Sequence, residues 1–197
     1  MNEVLSVDSI LGPEGRIARR LDNYEPRQQQ LEMARGVDQA LWDDQHLIAE
    51  AGTGTGKSFA YLVPAILYAT ADQASSNESN GEKPERSRRV VISTHTISLQ
   101  EQLISKDIPL LNSVIPLEFS AVLVKGRGNY LSLRRMNRAI GKATTLMSTD
   151  EQLSQLRQIK NWSTETADGS LSSLPMRPEA TVWDEVVSDT GNCLRRS

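Results

Sequence analysis

The stretch Ala51-Gly-Thr-Gly-Thr-Gly-Lys-Ser58 constrains this chain more than any other. It follows a short apolar run, Leu47-Ile48-Ala49, and precedes a helical pattern from Phe59 to Tyr68. A strand, a glycine-rich turn and a helix in that order read as a phosphate-binding loop. Gly52, Gly54 and Gly56, interleaved with Thr53 and Thr55, let the backbone curl so that successive N–H groups face inward. The N-terminus of the following helix adds its positive end. Lys57 is expected to reach the β- and γ-phosphates, and Ser58 to hold a Mg²⁺ ion. The strict pattern has glycine at the first position, where this chain has Ala51. The inner glycines and the Lys-Ser pair, which carry the chemistry, are kept.

The pattern on either side of the loop points to an α/β fold. Arg27 to Trp42 reads as a helix with Leu31, Ala34, Val37 and Leu41 on one face. Gln45 to Ala51 is the strand entering the loop, and Ser58 to Tyr68 the helix leaving it, with Pro64 as a kink or boundary. Asp72 to Arg89 is polar without an apolar period, a flexible surface insertion. Val90-Val91-Ile92 and Ala121-Val122-Leu123-Val124 are further strands, with a helix from Ser98 to Leu103. Such alternation predicts a parallel sheet with flanking helices. After Lys125 the character changes: residues 134–160 are polar and helical, and 161–181 are rich in Ser and Thr.

Bulk properties narrow the class. With 38% hydrophobic and 24% charged residues and a net charge of −3, the chain suits a soluble protein without a global pull toward nucleic acid. Between Ala121 and Thr149, however, stand Lys125, Arg127, Arg134, Arg135, Arg138 and Lys142 with no acid. They form either a patch for a phosphate backbone or a solvated helix face. No secretory signal or membrane-length apolar run is read. A single cysteine excludes an internal disulfide framework and agrees with a cytoplasmic location.

Three further stretches carry a resemblance. Tyr24-Glu-Pro-Arg27-Gln-Gln-Gln30 stands before the loop. Ile92-Ser-Thr-His-Thr96, with Leu99-Gln-Glu-Gln-Leu103, follows the second strand. Lys125-Gly-Arg-Gly-Asn-Tyr-Leu-Ser132 and Gly191-Asn192-Cys193 lie beyond the third. In this order they resemble the DinG/XPD-like superfamily-two ATP-dependent DNA helicases, and specifically the N-terminal part of one. The resemblance implies a partial RecA-like phosphate-loop domain over 1–125, followed over 126–197 by the beginning of a helical insertion of iron–sulfur type.

On the same footing, Arg27 and Gln30 would read adenine, the carboxamide both donating and accepting. Residues 51–58 would hold ATP–Mg²⁺. Thr94, His95, Thr96, Gln100, Lys125 and Arg127 would touch single-stranded or forked DNA, mostly through its backbone. Ser132 stands where the resemblance places the first cluster cysteine, and serine is a poor substitute for a soft thiolate. The chain is therefore not expected to hold an iron–sulfur cluster, and Cys193 is a candidate ligand only in a longer form.

Hydrolysis in this class needs a Walker-B Asp-Glu pair after an apolar strand. The pair that follows apolar residues, Asp184-Glu185, aligns instead with the cluster approach. The chain alone is expected to bind nucleotide and DNA without turnover. A stand-alone binding module from a split or decayed helicase gene, or an unrelated phosphate-loop ATPase, stays as the alternative. Oligomeric state is not readable from the sequence.

Overall fold

The computed structural model describes residues 5–76 and 88–189. It divides into two units, Met1–Leu123 and Val124–Ser197. The Gly191-Asn192-Cys193 segment and most of the 72–89 insertion lie outside the described residues, although the helix leaving the phosphate loop continues to Ser76.

The first unit begins with two short helices, α1 (Val7–Leu11) and α2 (Arg16–Arg20), where composition alone showed only a mixed stretch. Ser6 caps α1 through a reciprocal pair with Ser9, satisfying N–H groups that a helix start leaves open. Their apolar residues Val7, Ile10, Leu11 and Ile17 are buried in the core of this unit. Helix α3 (Gln28–Trp42) begins after Arg27, and α4 (Lys57–Ser76) runs unbroken through a buried Pro64. The two pack closely, Ala34 of α3 joining Ala60, Val63 and Ile66 of α4 in the core. Helix α5 (Ile97–Gln102) passes through a π-helical turn, Leu103–Asp107, into α6 (Ile108–Val114). That turn also packs on α4.

The expected parallel sheet is not formed among the described residues. Residues 45–52, 88–94 and 118–126 run without helix or ladder hydrogen bonds. Ile48, Val91 and Val122 are 99%, 91% and 82% exposed, where buried strands were predicted. Apolar runs report a preference for a pleated, buried surface, but a strand exists only when neighbours take its N–H and C=O groups. Those neighbours are not in place here.

In the second unit, α7 (Leu133–Gly141), α8 (Ala143–Leu146), α9 (Asp150–Trp162) and α10 (Ala180–Val186) surround a core of Met136, Ala139, Leu156, Ile159, Trp162, Val182, Trp183 and Val186. Two isolated antiparallel bridges, Tyr130 to Ser170 and Leu131 to Val187, tie its incoming segment to later residues. Both core tryptophans have their indole N–H satisfied, Trp162 on Ser173 O at 3.1 Å and Trp183 on Gly128 O at 3.1 Å. No described helix is long and apolar enough to cross a membrane.

Candidate nucleotide site and basic surface

The loop between residue 51 and α4 owes its shape to two glycines. Gly54 (φ +81°) and Gly56 (φ +78°) sit in the left-handed region, which costs a side-chain-bearing residue about 1–2 kcal/mol. Thr55 Oγ1 donates to Gly52 O at 3.0 Å and closes the turn. Lys57 is folded back on the loop, its ammonium donating to Ala51 O at 3.0 Å and Gly52 O at 2.7 Å. Lys57 and Ser58 open α4, so their backbone N–H groups belong to the helix's unsatisfied first turn. A helix N-terminus beside a cation that loop carbonyls hold fits a polyphosphate. A cleft of about 350 Å³ flanks the loop, lined by Gln29, Glu32, Met33, Ala49, Glu50, Ala51, Gly52 and Thr55.

The two residues expected at the base end behave differently. Arg27 is exposed just ahead of α3, 4.0 Å from the Glu25 carboxylate. Gln30 is 5% exposed. Its Nε2 donates to Gly56 O at 2.9 Å, and its Oε1 accepts from Tyr24 Oη at 3.0 Å. Tyr24, which sequence reasoning did not single out as a site residue, is half-buried, and that burial raises its pKa. A second residue missed in the sequence is Asp107, at the end of the π-helical turn. Burial raises its pKa, while the polar side chains of Gln102 and Ser58 beside it work the other way. Its Oδ2 is buried without a hydrogen bond. A π-helical turn has no sequence signature as plain as a glycine loop, although such turns gather at functional sites.

Of the expected DNA-contacting residues in this unit, Thr96 caps α5 by accepting from Leu99 N, and Thr94 Oγ1 donates to Thr96 O at 3.2 Å. His95 is exposed between them, and Gln100 is half-buried in α5. The 92–96 segment thus presents one imidazole, with its two threonine hydroxyls engaged locally.

The basic residues between Lys125 and Lys142 separate into two groups. Lys125 is 6% exposed, with its ammonium on Ser172 Oγ. Arg135 donates to Val187 O at 2.9 Å and Asp184 O at 2.6 Å, satisfying carbonyls at the end of α10. Arg127, Arg134, Arg138 and Lys142 are exposed, the last three at four-residue spacing along α7 and its cap. Such spacing puts them on one helix face. A shallow cleft of about 440 Å³ beside them has Arg127 and Arg135 against Asp184 and Asp189, a balance of charge that favours no anion.

The described residues of this unit do not fit an iron–sulfur cluster. Ser132 is the N-cap of α7, its hydroxyl accepting from Arg135 N at 3.4 Å while its own N–H donates to Val186 O at 2.8 Å. The chain's one cysteine, Cys193, lies outside the described residues. Asp184-Glu185 lies within helix α10 rather than at the end of a strand, unlike a Walker-B pair.

Residues 30–186 match the DEAD/DEAH box helicase family, which implies a RecA-like phosphate-loop fold. The ATP-dependent DNA helicase YoaA of Escherichia coli is 33% identical over 183 residues, covering 92% of this chain and 26% of that protein. The ATP-dependent DNA helicase DinG of Photobacterium profundum is 32% identical over 190 residues, 90% of this chain and 25% of its own length. A Bacillus subtilis relative named 3'-5' exonuclease DinG is 30% identical over 185 residues, 93% and 18% respectively. The chain spans about a quarter or less of the length of these relatives.

Proposed function

Since the chain belongs to the DEAD/DEAH box helicase family and is DinG-like, we propose that its first unit is the ATP–Mg²⁺-binding part of a RecA-like motor domain. In that reading the second unit is the start of a DNA-contacting insertion. The observation that carries the reading is the loop itself: left-handed Gly54 and Gly56, then Lys57 and Ser58 at the start of α4.

On binding, the Lys57 ammonium leaves the Ala51 and Gly52 carbonyls for phosphate oxygens, exchanging neutral acceptors for charged ones. The backbone N–H groups opening α4 point at the same oxygens. Ser58 would hold Mg²⁺ through its hydroxyl, and the ion would supply neutralisation of phosphate charge. Arg27, exposed ahead of α3, is available to the base. His95 and the Thr94–Thr96 segment of the first unit, and independently Arg127 and the α7 row of the second, are the candidate contacts to the backbone of single-stranded or forked DNA. Lys125 is held within the second unit by Ser172.

In this reading these residues bind nucleotide without turnover, since the described residues of the first unit hold no Asp-Glu pair and Asp184-Glu185 lies on a helix rather than at a strand end. Translocation and unwinding belong to a complete two-domain motor. Titration calorimetry of the chain with ATP and Mg²⁺ tests the reading. Lys57→Ala should weaken binding by about 2–3 kcal/mol, the scale of a hydrogen bond between two charged groups. Equal affinity in parent and variant removes the site from this loop.

A further inference from the structure

The helical run from Ile97 to Val114 carries one residue against its pattern. Leu99, Leu103, Leu111 and Val114 pack into the core of the first unit, and Asp107 stands among them at the four-residue spacing that separates Leu103 from its neighbours on that face. The π-helical turn Leu103–Asp107 packs on α4, the helix that Lys57 and Ser58 open. Burying a carboxylate on an apolar face is costly unless its oxygens are paired. Here Oδ2 is buried and accepts no hydrogen bond, while the side chains of Gln102 and Ser58 lie beside the carboxylate. A plain folding role does not account for that arrangement, because an apolar side chain would fill the same face without the cost of burying charge. Ser58 has one further polar neighbour, the Tyr61 hydroxyl, one turn along α4.

A serine hydroxyl has one proton and two lone pairs. With a lone pair given to a metal ion, its proton still needs an acceptor. A tyrosine hydroxyl can donate as well as accept, whereas an ionised carboxylate only accepts. A carboxylate behind a metal ligand fixes the orientation of that ligand and raises its basicity. We infer that Asp107 is a positioning residue for the Mg²⁺ site at Ser58: its free Oδ2 accepts the Ser58 O–H and turns a lone pair of the hydroxyl outward to the ion. The orphaned oxygen then has the partner that its burial calls for, and the π-helical turn is what brings it to the start of α4. The inference rests on the nucleotide-binding reading of the loop and adds to it a residue from outside the loop.

The experiment measures dissociation constants for ATP with Mg²⁺ and with EDTA, and reads their ratio as the gain that the ion brings. The parent chain is compared with Asp107→Leu, Asp107→Asn, Ser58→Ala, and Ser58→Ala combined with Asp107→Leu. Amide exchange along α4 without ligand reports on folding. Asp107→Leu should cut the gain by about tenfold, the lower end for the outer partner of a metal ligand, and leave affinity in EDTA near that of the parent. Exchange along α4 should be no faster, since leucine suits that face. Asp107→Asn keeps an acceptor without the charge and should lose less. In the Ser58→Ala background, Asp107→Leu should cost nothing further, because the two residues act as one unit. A gain in Asp107→Leu equal to the parent's overturns the inference and leaves the nucleotide reading standing. So does parent binding that Mg²⁺ does not strengthen. A full further loss in the Ser58→Ala background places the action of Asp107 elsewhere, and faster exchange throughout α4 makes it a folding residue; either overturns the inference. If the parent binds no ATP under either condition, the nucleotide reading falls and the inference with it.

Discussion

Three alanine substitutions in one loop separate backbone strain from crowding. At Gly52 an added Cβ meets nothing within 4 Å and φ is not positive, so Gly52→Ala should stay within about 0.5 kcal/mol of the parent. Gly54 is equally open but has φ +81°, so Gly54→Ala carries the left-handed penalty alone, about 1–2 kcal/mol. Gly56 has φ +78° and in addition a Cβ that would sit 2.0 Å from Gln30 Nε2 and 2.9 Å from its Cδ. Gln30 must then leave, and its bonds to Gly56 O and from Tyr24 go with it, at about 1 kcal/mol each. The sum for Gly56→Ala is about 3–4 kcal/mol. Amide exchange along α4 in increasing denaturant reads the first unit by itself, which matters in a chain of two units. The expected order of damage is residue 52, then 54, then 56. If Gly56→Ala is no worse than Gly54→Ala, the Gln30 contact does not hold the loop.

Other expectations concern the second unit and the basic row. Ser132→Ala removes the α7 cap and should cost about 1 kcal/mol, read by the fluorescence of Trp162 and Trp183 on melting, whereas Ser132→Asp, another good cap, should hold stability near the parent. Asp168 has its pKa lowered, first by the Ser170 N–H at 3.0 Å and then by the Ser170 and Ser173 side chains. Its contribution to stability is therefore present above the ordinary aspartate value of 3.8 and lost as pH falls through the lowered one, and Asp168→Asn should flatten that part of the acid-unfolding curve. Replacing Arg134, Arg138 and Lys142 together by alanine should weaken single-stranded DNA binding and flatten the slope of log K against log salt by about 2, while an unchanged slope makes the row a solvated face.

The legible parts of this chain were the ones with local causes. The loop followed from glycines and a Lys-Ser pair, and α3 followed from the spacing of Leu31, Ala34, Val37 and Leu41, with its start found within a residue. Both are set by backbone chemistry and periodicity inside one short window. The strands were not legible in the same way, because Val91 and Val122 carry the right side chains but pairing depends on residues far away in sequence. Helices α1 and α2, five residues each, are too short to show a period. The site divided along the same line. Lys125 and Arg135 look like surface cations until Ser172 and the end of α10 are seen to take them, and the bonds of Gln30 to Tyr24 and Gly56 are visible only in the fold. Composition showed how many charges there are, and only the fold showed which ones face outward.

The central claim is that nucleotide sits on residues 51–58. Amide hydrogen exchange of the chain, with and without ATP–Mg²⁺, addresses it residue by residue. The account predicts protection concentrated at Gly52 to Ser58 and the first turn of α4, absent from Lys57→Ala. Binding accompanied by protection elsewhere, with this loop exchanging as before, would contradict it.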